Sequence, residues 1–287
     1  MATTAEQEAK IHRCDQRRPD IRFHYRVAGA SATSKVAESV AALSPASTSA
    51  SSSQQTTPEK KDGARSNNAQ ETAGEVEVEA FLRQEGAGST RFVGDTSSVL
   101  WPVARYLCNY FCEGFLSGTP GATNQALPKS CLELGSGTGL VGIICGHIGV
   151  ENVVLTDQTL ALCEENIELQ PEHVRQRLSS KKLLWGDFSS LTDEERTNGY
   201  DMVVASDVIC HQDKTVMEAL VSTIAALLSP KGTGYVAYEF RDDWWTCSTF
   251  CDLCEKKYGL KIESHSLDPE DEDSDYILYK LTRKSKQ

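Results

Sequence analysis

The chain has 287 residues, 39% of them hydrophobic, and a formal net charge of −12. That length holds one full domain or two small ones. An acidic balance speaks against unaided nucleic-acid binding, where a basic face is the usual footprint.

Residues 1–20 are polar and charged throughout, so no signal peptide is expected, and no apolar run approaches the length of a membrane span. Ten cysteines scattered over predicted strands and helices suit a reducing compartment, cytoplasmic or also nuclear. The sequence predicts an N-terminal strand segment over 1–28 and a disordered low-complexity linker over 29–74. The linker is Ala, Ser, Thr, Gln, Asn and Gly with almost no large apolar side chains, so it cannot offset its own ordering entropy. One α/β domain is expected over 75–287.

In chain order, Asp20–Val27 alternates in period two and reads as a strand, and Glu75–Phe81 alternates similarly, so the two are expected to pair. Val99–Phe115 is helical by its stripe of Val99, Val103, Tyr106, Leu107, Tyr110 and Phe111, with Pro102 in the first turn. Beyond Lys129 strand and helix alternate, the pattern of a doubly wound, mostly parallel α/β sheet. Strands are predicted at Ser130–Leu134, Asn152–Thr156, Lys182–Trp185, Asp201–Ala205, Gly234–Glu239, Lys261–Ser266 and Tyr276–Leu281, seven in all, with the last two antiparallel. Helices are predicted at Leu140–Ile148, Thr159–Leu169, Lys214–Leu228 and Trp244–Tyr258. The acid run Asp268–Asp275 reads as a solvated loop between the last two strands, with a lure for a basic protein or peptide as the sharper alternative.

Residues 131–142, Cys-Leu-Glu-Leu-Gly-Ser-Gly-Thr-Gly-Leu-Val-Gly, carry the most chemistry. An apolar strand feeds Gly135, Gly137 and Gly139, which allow a tight turn and close approach of the backbone to a ligand at a helix N-terminus. Gly137, Gly139 and Gly142 also satisfy GxGxxG, with Asp157 about 20 residues on, so the glycines alone leave NAD and S-adenosylmethionine both open. Glu133, two residues ahead of the first glycine, suits a cofactor carrying an ammonium and a sulfonium. A hydride-transfer enzyme would also need a substrate domain after the sheet, and the chain ends at Gln287 with the sheet barely complete.

Ligands in such sheets gather at the carboxyl ends of the strands. Gly135 to Gly139, Asp157, Trp185-Gly186-Asp187, Ser206-Asp207 and Glu239 fall there. Asp157 is placed to share its carboxylate between two ribose hydroxyls, or to cap the next helix. Trp185 offers a flat apolar wall, and Asp187 is either an acceptor for an adenine amino group or a turn residue. Cys247, Cys251 and Cys254 have a cluster-like CxxxCxxC spacing, but they share one face of a predicted helix and read as packing.

The run Cys131-Leu-Glu-Leu-Gly-Ser-Gly-Thr-Gly-Leu, with Val154-Leu-Thr-Asp, Leu184-Trp-Gly-Asp and Ala205-Ser-Asp-Val, resembles the seven-β-strand (class I) S-adenosylmethionine-dependent methyltransferases of the lysine methyltransferase-like family. The resemblance spans roughly Val93 to Leu281. It implies a Rossmann-like methyltransferase fold with S-adenosylmethionine as cofactor. Members modify elongation factors, chaperones, calmodulin and similar proteins, so the expected partner is a protein substrate, with a basic surface, of a monomeric enzyme. No direct nucleic-acid binding and no membrane are expected.

Thr96-Ser-Ser-Val-Leu-Trp-Pro resembles the family's segment before the first strand, whose Trp lines the cofactor pocket. Carried over, the resemblance implies cofactor contacts from Trp101, Gly135, Ser136, Gly137, Asp157, Trp185 and Ser206, with Glu133 supporting the loop from behind. The family's acidic residue after the fourth strand is Asp207 here, the expected catalytic residue, which would orient the acceptor amine or receive its proton through water. The family's aromatic three residues later is Cys210 here, so Tyr238 or Trp244 is expected to stand in, and His211 has no assigned role. Rival expectations are a methyltransferase for a small amine or another side chain, and a non-catalytic cofactor-binding scaffold.

Overall fold

The computed structural model describes residues 20–27, 76–85, 96–116, 126–209, 213–268 and 274–284. The expected linker 29–74, Cys210, His211 and most of the acid run 268–275 lie outside the described residues.

Strands β1 (Asp20–Val27) and β2 (Val76–Arg83) form an antiparallel pair, as the shared alternation predicts. A 3-10 turn at Thr96–Ser98 leads into helix α1 (Pro102–Leu116), with Pro102 as its first residue, where a missing N–H costs nothing. Strand β3 (Ser130–Leu134), helix α2 (Leu140–His147), strand β4 (Asn152–Asp157) and helix α3 (Ala161–Glu168) follow. Then come α4 (Glu172–Arg175), β5 (Leu178–Lys182), α5 (Asp193–Asn198) and β6 (Tyr200–Ser206). Helix α6 (Lys214–Leu227), β7 (Leu228–Glu239), α7 (Trp244–Asp252), β8 (Leu260–Ser266) and β9 (Tyr276–Arg283) complete the order.

The seven strands of the main sheet are ordered β5-β4-β3-β6-β7-β9-β8, parallel from β5 to β7, with β9 antiparallel to both neighbours. The chain order reverses between β3 and β6, so a crevice opens at the carboxyl ends of those strands. One apolar layer joins α1, α2 and the β1–β2 pair to one face of the sheet. A second layer joins α6 and α7 to the other. Strands covered on both sides must be apolar throughout, which is why β3 and β6 are buried along nearly their whole length.

Three predictions need correction. The strand expected at Lys182–Trp185 lies at Leu178–Lys182, whose Leu-Ser-Ser-Lys-Lys sequence is polar because it forms the sheet edge. The apolar Leu183, Leu184 and Trp185 supplied the false strand signal, and they leave the sheet to wall a cavity. Strand β7 starts at Leu228, directly after α6, and a bulge opposite Tyr200 and Met202 absorbs Pro230 before the regular pairing with β6 begins. The short helices α4 and α5 lack an apolar stripe. Helix α5 is set by a capping box in which Thr192 and Glu195 satisfy each other's backbone N–H groups. The predicted helix Trp244–Tyr258 is α7 followed by a wider π-type turn at Leu253–Lys257.

Candidate active site

A cavity of about 560 Å³ opens at the carboxyl ends of β3, β4 and β6, a size typical of small-molecule sites. Trp101, Gly135, Ser136, Gly137, Asp157, Trp185, Ser206 and Asp207 all line it. Local folding explains each placement.

The glycine loop leaves β3 and is tied down from β4. Ser136 donates to the Thr156 carbonyl through both its N–H (2.9 Å) and its Oγ (3.0 Å), so its hydroxyl is committed to the fold. Asp157 Oδ2 accepts from Gly137 N–H at 2.9 Å, while Oδ1 accepts from Gln158 N–H (2.6 Å) and Thr159 N–H (3.3 Å). The carboxylate thus organises the loop before any ligand arrives. Gly137 has φ of +53°, and a Cβ there would sit 3.0 Å from the Ser97 carbonyl oxygen. Only glycine fits that approach between the loop and the turn before Trp101.

Glu133 is buried beneath the loop and accepts from Gly142 N–H at 3.0 Å, capping the first turn of α2. Gly142 leaves room for it, since a Cβ would lie 2.6 Å from Glu133 Oε2. Burial pushes the Glu133 carboxyl up to about 8, a rise increased by the Asp157 charge and opposed by Gly142 N–H and Ser136.

Trp101 is pinned by donation from its Nε1 to the Thr96 carbonyl at 3.0 Å. Trp185 lies against the glycine loop, its ring 3.4 Å from where a Gly135 Cβ would be. Ser206 ends β6, and its Oγ is buried with no hydrogen-bond partner. A buried hydroxyl without a partner costs free energy and calls for an explanation in a ligand.

Asp207 follows in the left-handed region, φ +55°, which is unusual for a non-glycine residue. Its N–H donates to the Ala237 carbonyl at 2.8 Å, holding the turn against β7. Its carboxylate, only 2% exposed, is gripped by Arg241: Nη1 donates to Oδ1 at 3.0 Å and Nη2 to Oδ2 at 2.6 Å. Arg241 Nη2 also reaches Glu239 Oε2 at 2.8 Å, and the guanidinium lies 5.5 Å from the Trp101 ring centroid.

The sequence left several features unread. Asp187 is a turn residue: it is exposed, accepts from Ser189 N–H at 2.9 Å, which holds its carboxyl below the usual range, and does not line the cavity. Tyr238 cannot replace the family aromatic. It points into the core, 3% exposed, with its hydroxyl 2.8 Å from Cys247 Sγ and 3.3 Å from the Tyr279 hydroxyl. Trp244 is 75% exposed, packed edge-on against Phe240, and does not line the cavity. The first turns of α6 supply a wall through Thr215, Val216 and Ala219, with Asp213 capping the helix by accepting from Thr215 N–H at 2.7 Å. No local sequence pattern marks that wall; in the fold, Val216 (43% exposed) lines the cavity with Leu184 (48% exposed).

Together these features suit S-adenosylmethionine: a glycine cradle that a side chain would fill, an unpartnered Ser206 hydroxyl, and apolar surface from Leu184, Trp185 and Val216 for a planar base. The sheet order, the loop and this cavity define a seven-strand S-adenosylmethionine-dependent methyltransferase. Residues 89–257 match the family described as lysine methyltransferase, and the chain belongs to that family.

Its relatives agree with that placement. EEF1A lysine methyltransferase 3 of Xenopus tropicalis is 27% identical over 190 residues, covering 64% of this chain and 74% of that protein. Protein N-lysine methyltransferase METTL21A of Mus musculus is 29% identical over 195 residues, covering 67% and 79%. Protein-lysine N-methyltransferase EFM6 of Saccharomyces cerevisiae is 35% identical over 127 residues, covering 38% and 50%. The NAD alternative left open by the glycines is thereby closed.

Proposed function

We propose that this chain is a protein-lysine N-methyltransferase in which Asp207 meets the acceptor amine at the mouth of the cavity, and that EEF1A is the first acceptor to test. The observation that carries this reading is the convergence of Asp207, Trp101 and the glycine loop on one cavity. EEF1A enters because it is the acceptor named for one relative. The enzyme acts as a monomer on a basic protein surface, which the net charge of −12 favours, in the cytoplasm or nucleus. Among the described residues no helix is long and apolar enough to cross a membrane.

S-adenosylmethionine supplies a methyl group already activated on a sulfonium, so the protein's share is proximity and alignment, worth roughly 7–11 kcal/mol. Gly137, Asp157 and Ser206 hold the cofactor, and Trp101, Trp185 and Val216 exclude water around it. A lysine nucleophile must be neutral, yet its free pKa is about 10.4, so the apolar rim assists by disfavouring the ammonium. A carboxylate has roughly four acceptor positions, and Asp207 uses three, two on Arg241 and one on Glu239 N–H at 3.4 Å. About one remains to orient the amine.

Calorimetric titration of the purified chain with S-adenosylmethionine and separately with NAD, followed by tritiated cofactor and EEF1A, tests the reading. Binding of the first alone and label recovered as methyl-lysine support it. A folded chain that binds neither ligand removes the enzyme. Label that appears only in small molecules removes the protein acceptor.

Ser206→Ala separates folding from binding. Removing the unpartnered hydroxyl should leave the melting temperature of the ligand-free protein unchanged or higher, while affinity for S-adenosylmethionine falls about tenfold, as for one lost hydrogen bond. Equal affinity in the variant would take Ser206 out of the cofactor site.

A further inference from the structure

We infer that Arg241 is a positioning residue for methyl transfer, a clamp that fixes the Asp207 carboxylate and joins three walls of the acceptor mouth. The inference rests on the methyltransferase reading above. Arg241 stands two residues beyond the end of β7 and carries no motif that marks it in the sequence. Its guanidinium nevertheless reaches the end of β6 at Asp207, the end of β7 at Glu239 and the turn before α1 at Trp101.

The geometry goes beyond an ordinary surface ion pair. Exposed pairs contribute little because both side chains stay solvated and mobile. Here the Asp207 side chain is 2% exposed and Arg241 33%, and the contact is a two-pronged fork. A fork fixes the plane of the carboxylate as well as its position, which a lysine ammonium cannot do. The backbone of Asp207 is itself held in the left-handed region, where the chain rests only if its surroundings enforce it.

Asp207 and Trp101 line the cavity, whereas Arg241 and Glu239 do not. The clamp therefore lies beside the cofactor space and governs where the last acceptor position of Asp207 points. With both carboxylates sharing one guanidinium, the cluster of Asp207, Glu239 and Arg241 keeps one net negative charge for an incoming cationic side chain. Arg241 acts through Asp207 and makes no contact with the reacting atoms itself.

The test is a set of variants, Arg241→Met, Arg241→Lys, Asp207→Asn and the double Arg241→Met/Asp207→Asn. Each is measured for cofactor affinity by calorimetry, for melting temperature, and for kcat and KM with labelled cofactor and the acceptor protein. Arg241→Met should leave cofactor affinity unchanged while kcat drops ~10²-fold, the cost of misplacing a reacting geometry by about 1 Å. Arg241→Lys should recover the melting temperature but not kcat, since it restores charge without the fork.

The double variant should be no slower than Asp207→Asn alone, because the two residues act as one unit. Wild-type or faster turnover in Arg241→Met, full rescue by Arg241→Lys, or losses in kcat that simply add would each overturn the role. Melting-temperature losses that add would show that the clamp itself is absent, whatever the activity. If instead the wild-type chain binds no cofactor and labels no protein, the methyltransferase reading fails, and this role falls with it.

Discussion

Asp157→Ala should both destabilise the protein and strip it of its cofactor. Three backbone N–H groups, of Gly137, Gln158 and Thr159, lose their acceptor at once. Gln158 and Thr159 are exposed and can turn to water, but Gly137 sits half-buried between the loop and Ser97. An orphaned buried donor costs about 1–3 kcal/mol, so a net loss of about 2–3 kcal/mol is expected. For a domain of this size that corresponds to a fall in melting temperature of about 4–12 °C.

Affinity for S-adenosylmethionine should fall further than stability does, by at least ~10²-fold. The variant loses a contact, and it also frees the left-handed Gly137 turn that gives the cradle its shape. Asp157→Asn, which keeps the size and one acceptor oxygen, should lie between. Calorimetry and thermal unfolding on the three proteins check the order. Wild-type binding by Asp157→Ala would mean that the two Ser136 bonds to the Thr156 carbonyl suffice to hold the loop in shape.

Much of this arrangement was legible because it is local in the chain. The strand Ser130–Leu134, its glycine turn and α2 form one contiguous stretch, where burial on both faces demands an apolar run and a tight turn demands glycine. The pairing of β1 with β2 was legible from alternation alone, whatever connects them. Edge strand β5 was misplaced because the rule linking strands to apolar runs fails at a sheet edge, while the ligand wall beside it is apolar for its own reason.

Other features depend on contacts between distant residues, which no local pattern encodes. Arg241 meets Asp207 across 34 positions, and Gly137 meets Asp157 across 20. Both acids were singled out as strand-end residues and Gly137 as a loop glycine, yet neither pairing was, and Arg241 carried no signal at all. A carboxylate at a strand end signals that something will be bound there, and only the folded sheet says what already is. Asp157 accordingly holds the loop before any ligand arrives, and Asp207 lines the cavity already in the grip of a cation.

Glu133→Gln should remove a pH dependence of stability. The Glu133 carboxyl titrates at about 8 in the folded protein against an ordinary value of 4.5, because burial disfavours its charge. Between those values the folded state binds more protons than the unfolded one, so this group's contribution to stability declines as pH rises from about 4.5 to about 8. The decline amounts to at most about 5 kcal/mol over the window, and less where water reaches the group once it ionises.

Glutamine cannot ionise, and its amide oxygen can still accept Gly142 N–H, with Ser136 close enough to serve the amide nitrogen. The variant should therefore match or trail the wild type near pH 5 and exceed it near pH 8, in urea unfolding at each pH. Parallel stability curves would mean that Glu133 is already ionised when the protein folds.

The same displaced titration links Glu133 to binding. A cationic ligand entering the cavity that Glu133 lines favours the carboxylate, so binding of S-adenosylmethionine at pH 7 should expel a proton from the wild type. Calorimetry in two buffers of unlike ionisation enthalpy would read that proton, and Glu133→Gln should abolish it. A proton count that is unchanged in the variant would assign the release elsewhere. A buried acid beneath a helix N-terminus is tolerable for the ligand-free fold because Gly142 and Ser136 satisfy it, and the positive charge of a bound cofactor would favour its ionised form.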